Sequence, residues 1–66
     1  MEVIISVYDI NGKLVNKLHE GNINPGHHRI IWNSLNSNGV SMPSGVYIYE
    51  IIGDGVALRN KMMLLK

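Results

Sequence analysis

The chain has 66 residues, no cysteine, and six Lys and Arg against five Asp and Glu, which gives a formal net charge of +1. A chain of this length has little core, and neither a disulfide nor a thiolate metal centre can stabilise it. The charge is spread along the chain, and the longest apolar runs are too short to span a bilayer, so we expect no nucleic-acid partner and no membrane insertion. We predict one soluble domain over residues 1–66 that depends on burial or on a partner chain. Met1 directly precedes a strand-like run, so we also expect the natural protein to continue upstream.

The first third of the chain predicts a β-hairpin. Residues Val3–Asp9 read VIISVYD, which is rich in β-branched residues and alternates between two faces, as a strand does. Asn11-Gly12 is typical of a two-residue type I′ turn. The following KLVNKL, Lys13–Leu18, is predicted to pair back on the first strand.

Two further elements follow before the middle of the chain. HEGNINPG, His19–Gly26, has no helical period and predicts a loop between layers. HHRIIWN, His27–Asn33, alternates with His28, Ile30 and Trp32 on one side, and this predicts a strand with Trp32 pointing inward.

A polar run separates Trp32 from the strands of the second half. Ten of the thirteen residues from Asn33 to Gly45 are Asn, Ser, Gly or Pro, which are the residues of turns. We predict turns at Asn38-Gly39 and over residues 43–45. VYIYEII, residues 46–52, then predicts a strand, which Gly53-Asp54-Gly55 turns back into a last strand from Val56 to Lys66. In the terminal KMMLLK, Met63 and Leu65 alternate with Met62 and Leu64, and this predicts a strand buried on both sides.

Five predicted strands and no helical period of ten or more residues indicate an all-β domain. The expected architecture is a small Ig-like β-sandwich of about five antiparallel strands. Ig-like sandwiches have about 7 strands in about 100 residues, so an N-terminal strand is expected to be missing. The first strand would then be an open edge, which predicts a homo-oligomer formed by strand pairing.

Four segments in order carry a resemblance to a known family: VYDINGKLV, PGHHRIIWN, NGVSMPSGVYIYEI and KMMLLK. The chain resembles the C-terminal Ig-like sorting domains of type IX secretion substrates, and it is similar to the Ig-like domain of the flagellar hook-capping protein. The resemblance covers Val3 to Lys66. Six positions match those that shape the fold in the family: Asp9, Gly12, Trp32, Gly39, Gly45 and Tyr47.

The chain departs from the family at three places. Asn33 and Asn36 stand where the family usually has acidic residues, and an earlier strand introduced by Asn-Pro is lacking. The resemblance implies export across an outer membrane, with secretion machinery or another protein as the partner. It also implies that the terminal strand is recognised, through Lys61, Met62, Met63, Leu64, Leu65 and Lys66.

The residue pattern does not favour an enzyme. Ser34, Ser37, Ser41 and Ser44 lie in or beside the bend, but no G-x-S-x-G or triad spacing accompanies them. The carboxylates are scattered along the chain. Gly53-Asp54-Gly55 lacks the spacing of a phosphate loop and is explained by a hairpin turn.

No cofactor is expected, and the candidate binding groups are weak. His27 and His28 are adjacent on an extended chain, so their side chains diverge and cannot share one metal without distortion, and His19 adds little. The Asn33–Gly39 loop leaves weak calcium binding open, although hard cations prefer carboxylates and none lies there. Tyr8, Trp32, Tyr47 and Tyr49 could form an aromatic platform, although Trp32 and Tyr47 are better explained as core.

Three functions therefore remain open. The first is a non-catalytic secretion-sorting or cell-surface attachment module that is secreted or displayed on the surface and works by protein contact. The second is a self-assembly module like the hook-cap domain, which would place the protein in the periplasm or the flagellum. The third is a small β-barrel that binds carbohydrate or nucleic acid.

Overall fold

The computed structural model describes residues 1–24 and 26–66, and in these residues four antiparallel strands form one sheet. The strands are β1 (Glu2–Tyr8), β2 (Leu14–Asn22), β3 (Gly45–Gly53) and β4 (Val56–Leu64). Their order in the sheet is β2-β1-β3-β4. The described part of the chain contains no helix, so the predicted all-β class is confirmed, as a small Ig-like domain that lacks a strand.

β1 occupies the middle of the sheet, pairing with β2 on one side and β3 on the other. The prediction that the first strand is an open edge is therefore wrong. Its apolar sequence matches a central position, because a strand with a neighbour on each side has no free backbone edge to protect. The edges of the sheet are β2 and β4.

The segment His27–Asn33, predicted as a strand, pairs with no other strand in the described structure. Its alternation instead reflects one-sided burial: His28, Ile30 and Trp32 line a cleft against the sheet, while Ile31 is 76% exposed. Buried and exposed side chains alternate in any extended segment that has one side against the protein, whether or not the segment is hydrogen-bonded to a neighbouring strand.

The loop predicted over His19–Gly26 is shorter than expected, because β2 continues to Asn22 and keeps its pairing with β1 as far as Glu2. Ile23 N then donates to Met1 O at 2.8 Å. Pro25, which belongs to the predicted loop and to the PGHHRIIWN segment, lies outside the described residues.

The hairpin turn between β3 and β4 lies within the predicted Gly53-Asp54-Gly55. Gly53 pairs with Val56, which leaves the two-residue loop Asp54-Gly55, and both loop residues have positive φ, 47° and 80°. Two consecutive positive φ values define a type I′ turn, whose twist matches that of the strands it joins.

Two irregularities in the β1–β2 pairing shape the core. The register shifts between Ile5 and Ser6 and again between Val7 and Tyr8, which leaves Leu18 and Val15 of β2 without a direct partner. These two residues are three apart, so strict alternation would place them on opposite faces of the sheet. Both instead pack on the same core cluster, which is what β-bulges allow.

The core lies on one side of the sheet, which we call the inner face. Val7, Val15 and Tyr47 form its buried centre, and Trp32 and Met42 from residues 26–44 pack against it as a second, irregular layer. Val3 and Ile5 extend the buried set along β1. The opposite, outer face carries the alternate residues of the same strands and has no covering layer among the described residues.

Candidate functional site

The loop between β1 and β2 is organised by the side chain of Asp9. Its Oδ1 accepts hydrogen bonds from the backbone N–H groups of Asn11 and Lys13, each at 2.9 Å. Asp9 N donates to Lys13 O at 2.9 Å, and Gly12 N donates to Asp9 O at 3.0 Å. Gly12 has a φ of 84°, which favours glycine. The predicted two-residue type I′ turn at Asn11-Gly12 is therefore wrong, because the Asp9 carboxylate stabilises a five-residue loop instead.

The Asn36–Val40 loop repeats the same arrangement. Asn36 Oδ1 accepts from the N–H groups of Asn38 and Val40 at 3.0 and 2.9 Å. Asn36 N donates to Val40 O at 2.8 Å, Gly39 N donates to Asn36 O at 3.0 Å, and Gly39 has a φ of 79°. An amide oxygen thus does at Asn36 what a carboxylate oxygen does at Asp9, so this position requires an acceptor and not a charge.

Asn33 has a similar local role. Its Oδ1 accepts from Leu35 N at 3.3 Å. Asn33 and Asn36, which stand where the resembled family usually has acidic residues, therefore both cap their own backbone. The chemistry of these loops is that of turns, and the described residues contain no group of three or more His, Asp or Glu side chains that could hold a metal ion.

An aromatic pair fixes the irregular layer on the sheet. The Trp32 and Tyr47 rings lie 5.0 Å apart, centroid to centroid, in an edge-to-face arrangement at 67°. Trp32 Nε1 donates to Leu35 O at 2.9 Å, and the Tyr47 hydroxyl donates to Pro43 O at 2.7 Å. Each aromatic side chain therefore packs its ring against the other and uses its polar atom to hold one end of the bend.

The four aromatic residues do not form one platform. Tyr49 lies opposite Val7 and shares its inner face, whereas Tyr8 is the next residue along β1 and points to the outer face. Tyr47 is buried in the core. An aromatic surface for stacking several bases or sugars is thus not assembled from these side chains.

The irregular layer leaves a cleft of about 330 Å³ over the inner face. Apart from His28, its lining is apolar or aromatic: Ile5, Val7, Leu18, Ile30, Trp32, Tyr49, Ile51 and Met62. The volume is at the low end for ligand pockets, and the convergent polar groups that orient a ligand are lacking among these residues. The cleft is therefore an incompletely covered core.

Two of the histidines and two of the serines make local contacts. His19 Nε2 lies 3.3 Å from Gly21 O, and His28 Nε2 contacts Asn24 O. Ser44 Oγ accepts from Lys66 N at 3.0 Å, and Ser41 Oγ contacts Lys66 Nζ. Ser41 and Ser44 thus hold Lys66 against the bend.

A polar cluster on the outer face escaped the sequence analysis. Glu50 Oε2 accepts from Arg59 Nε at 2.6 Å, its other oxygen accepts from the Tyr8 hydroxyl at 3.2 Å, and Arg59 Cζ lies 5.5 Å from the centroid of the Tyr8 ring. The signal was present, because a two-residue turn at Asp54-Gly55 places Glu50 opposite Arg59. The cluster joins three strands across the outer face.

The terminal strand is far less buried than predicted. Met62 and Leu64 are half-buried against the core, but Met63 is 67% and Leu65 79% exposed, so burial on both sides is wrong. The reason is that β4 is an edge strand and the outer face has no second layer. Lys61 and Lys66 are exposed as well. The predicted recognition role of residues 61–66 stays a prediction.

One comparison with known proteins identifies the fold family. A family model described as the FlgD Ig-like domain matches residues 1–54, which takes in β1, β2, the irregular layer and β3. No curated protein and no solved structure matches the chain at a significant level. No helix in the described residues is long and apolar enough to cross a membrane. The match supports the similarity to the hook-capping protein, and Ig-like domains are in general non-catalytic structural or protein-interaction modules. The chain belongs to the FlgD Ig-like domain family.

Proposed function

We propose that the chain is a non-catalytic contact module of an exported protein, and that it joins other proteins into an extracellular or flagellar structure through its β3–β4 hairpin. Family membership supports a structural role. The observation that carries the proposal is the apolar exposure of β4: Val56 and Leu58, neighbours on the inner face beside the turn, are each more than half exposed, and so is Met63 on the outer face farther along the strand. Neighbouring exposed apolar side chains are typical of protein contact sites.

The rest of the molecule supports this assignment. Asp9 and Asn36 use their side chains to cap the backbone of their loops, and Ser41 and Ser44 contact Lys66. Activated nucleophiles or bases would need a partner side chain that orients them, and these groups are instead bound to backbone or to a terminal lysine. The hairpin carries several of the exposed large apolar side chains of the described residues, among them Val56, Leu58 and Met63.

Site-specific crosslinking in the native host tests the proposal. The photoreactive residue p-benzoylphenylalanine is placed at Met63 in one variant and at Ile10 in a control variant, because both side chains are highly exposed and Ile10 lies in the β1–β2 loop. We expect crosslinks at position 63 to a component of an extracellular or flagellar assembly, and none at position 10. Equal crosslinking at the two positions, or none at position 63, would contradict the proposal.

A second candidate is the sorting role, in which residues 61–66 are read by secretion machinery. It is favoured by the exposure of Met63 and Leu65 in the last residues, which follow the family-matched part of the chain. Deletion of residues 60–66 would remove half of β4, so replacing Met63 and Leu65 with serine is the milder variant. Loss of the protein from the culture medium with retention inside the cell would support sorting, and undiminished export of both variants would exclude it.

A further inference from the structure

β4 is the free edge of the sheet. Its inward side pairs with β3 from Val56 to Leu64, and within residues 1–24 and 26–66 no strand pairs with its outward side. A strand edge with unpaired N–H and C=O groups is a template for another extended chain. What the edge can accept is determined by the backbone groups and the side chains that it displays.

The register settles which backbone groups point outward. The two-residue turn makes Gly53 and Val56 a hydrogen-bonded pair, and such pairs alternate along an antiparallel ladder. The outward-pointing groups are consequently those of Ala57, Arg59, Lys61 and Met63. The Lys61 N–H is already bonded to Asn60 Oδ1 at 2.9 Å, which agrees with its outward direction and leaves the other three donors for a partner.

The side chains along this edge divide by face. On the outer face the edge displays Arg59 and Lys61, and Lys61 has no carboxylate within ion-pair distance among the described residues. On the inner face it displays Val56 and Leu58, which are 65% and 52% exposed. A strand added here would place alternate side chains beside cations and beside apolar groups.

Pairing of β4 with a second copy of itself is opposed by charge. In the antiparallel register centred on Asn60, the Arg59 of each copy would lie directly opposite the Lys61 of the other. Like charges directly opposite each other destabilise a strand pair, and lysine on an edge is a common way to prevent self-pairing. A segment of another protein with complementary charge therefore fits the β4 edge better than a second copy of β4 does.

We propose that the β4 edge binds an extended segment of a partner protein in which acidic and apolar residues alternate, with the acidic side chains beside Arg59 and Lys61. The segment becomes a fifth strand, and its backbone bonds to Ala57, Arg59 and Met63 supply affinity while the alternation supplies specificity. This inference rests on the proposed contact function and names the chemistry of the partner.

Two fluorescein-labelled peptides test it by fluorescence anisotropy with the full chain. One alternates Val and Glu over seven residues, and the other alternates Val and Lys. We expect the acidic peptide to bind at least about tenfold more tightly, because like-charge juxtaposition across an interface is costly. Its affinity should fall as salt is raised, since the Lys61 contact is exposed to solvent.

Two variants, K61E and M63P, and one control, K13E, locate the site. K61E should reverse the preference between the peptides, and K13E, which makes the same charge change in the β1–β2 loop, should leave it unchanged. M63P removes an outward N–H without removing a bond to β3, a position at which an edge strand tolerates proline, so it should abolish binding of either peptide while the fold is kept. The circular dichroism spectrum of M63P checks that the fold is retained.

Three results would overturn the inference. They are equal binding of the two peptides, acidic-peptide binding that survives M63P, and a concentration-dependent dimer in light scattering that M63P abolishes, which would assign the edge to a second copy. If the crosslinks at position 63 persist while the peptides fail to bind, the contact function stands and only the strand-addition chemistry is lost.

Discussion

The two edge strands of the sheet have different surroundings. β2 is covered along its first half, where Ser37 N donates to Val15 O and Asn16 Nδ2 donates to Leu35 O, both at 3.0 Å. Among the described residues, β4 has only the Asn60 side chain folded over one of its outward donors. As far as the structure describes it, the irregular layer thus also covers the edge of the sheet at β2 and leaves the edge at β4 open. The difference indicates which side of the molecule is left available for other proteins.

Removing the aromatic anchor of the cover should have the largest effect. W32A removes the contact with Tyr47 and the hydrogen bond to Leu35 O. We expect a loss of about 3 kcal/mol in the free energy of unfolding, near the lower end for aromatic-to-alanine changes because Trp32 is only half-buried. Urea denaturation followed by circular dichroism measures it, with W32F as a control that keeps an aromatic ring, lacks the indole N–H and is expected to lose about 1 kcal/mol. A loss below about 1 kcal/mol in W32A would show that the layer is not held by this side chain.

The two five-residue loops should respond alike to a change in backbone freedom. Gly12 and Gly39 have similar positive φ values, and an added Cβ would meet no atom within 4 Å at either. G12A and G39A should therefore each cost about 1–2 kcal/mol through the left-handed backbone alone. Thermal or urea unfolding of the two variants compares them directly. A clearly larger cost for G39A would mean that its loop also supports the cover on β2.

The cap of the Asn36 loop should depend on an acceptor oxygen. N36A removes the acceptor of two backbone N–H groups and is expected to cost about 1 kcal/mol. N36D keeps the oxygen and should match the wild type within about 0.5 kcal/mol, as Asp9 does the same work in the other loop. Equal losses in N36A and N36D would contradict the equivalence of the two loops.

The smallest effect on stability is expected at the uncovered edge. N60A removes the side-chain acceptor of the Lys61 N–H without touching the pairing of β4 with β3. The free energy of unfolding should change by less than about 0.5 kcal/mol. The Lys61 amide should exchange faster with solvent, and the acidic peptide should bind more tightly. If the exchange rate of the Lys61 amide were the same in N60A as in the wild type, the Lys61 N–H would not lie on the open edge.

The sequence predicts the parts of this fold that local chemistry determines. Alternation finds β1, β3 and β4, and Asp54-Gly55 specifies its turn because only small or polar residues tolerate two positive φ values. It fails where alternation arises without pairing, at His28, Ile30 and Trp32. The prediction from sequence also fails at Asn11-Gly12. This dipeptide, like Asp54-Gly55, is typical of a two-residue turn, but the hydrogen bonds to the Asp9 carboxylate stabilise a longer loop.

The order of the strands could not be read from the sequence. β1 looks like an edge only if the strands are laid out in chain order, and its central place depends on β3 returning beside it after the irregular layer. The bulges that bring Val15 and Leu18 to one side are likewise set by tertiary packing. The candidate site depends on strand order, and so the exposed edge at β4 became visible only in the structure.

Residue-resolved hydrogen exchange of the dilute protein, measured by NMR, tests most directly whether β4 is an open contact edge. The account predicts alternation along the strand: the amides of Ala57, Arg59 and Met63 exchange fast and those of Leu58, Asn60 and Met62 exchange slowly, and the acidic peptide slows the fast set. Uniformly slow exchange along β4 in the free, monomeric protein would mean that the edge is already covered, and it would contradict the account.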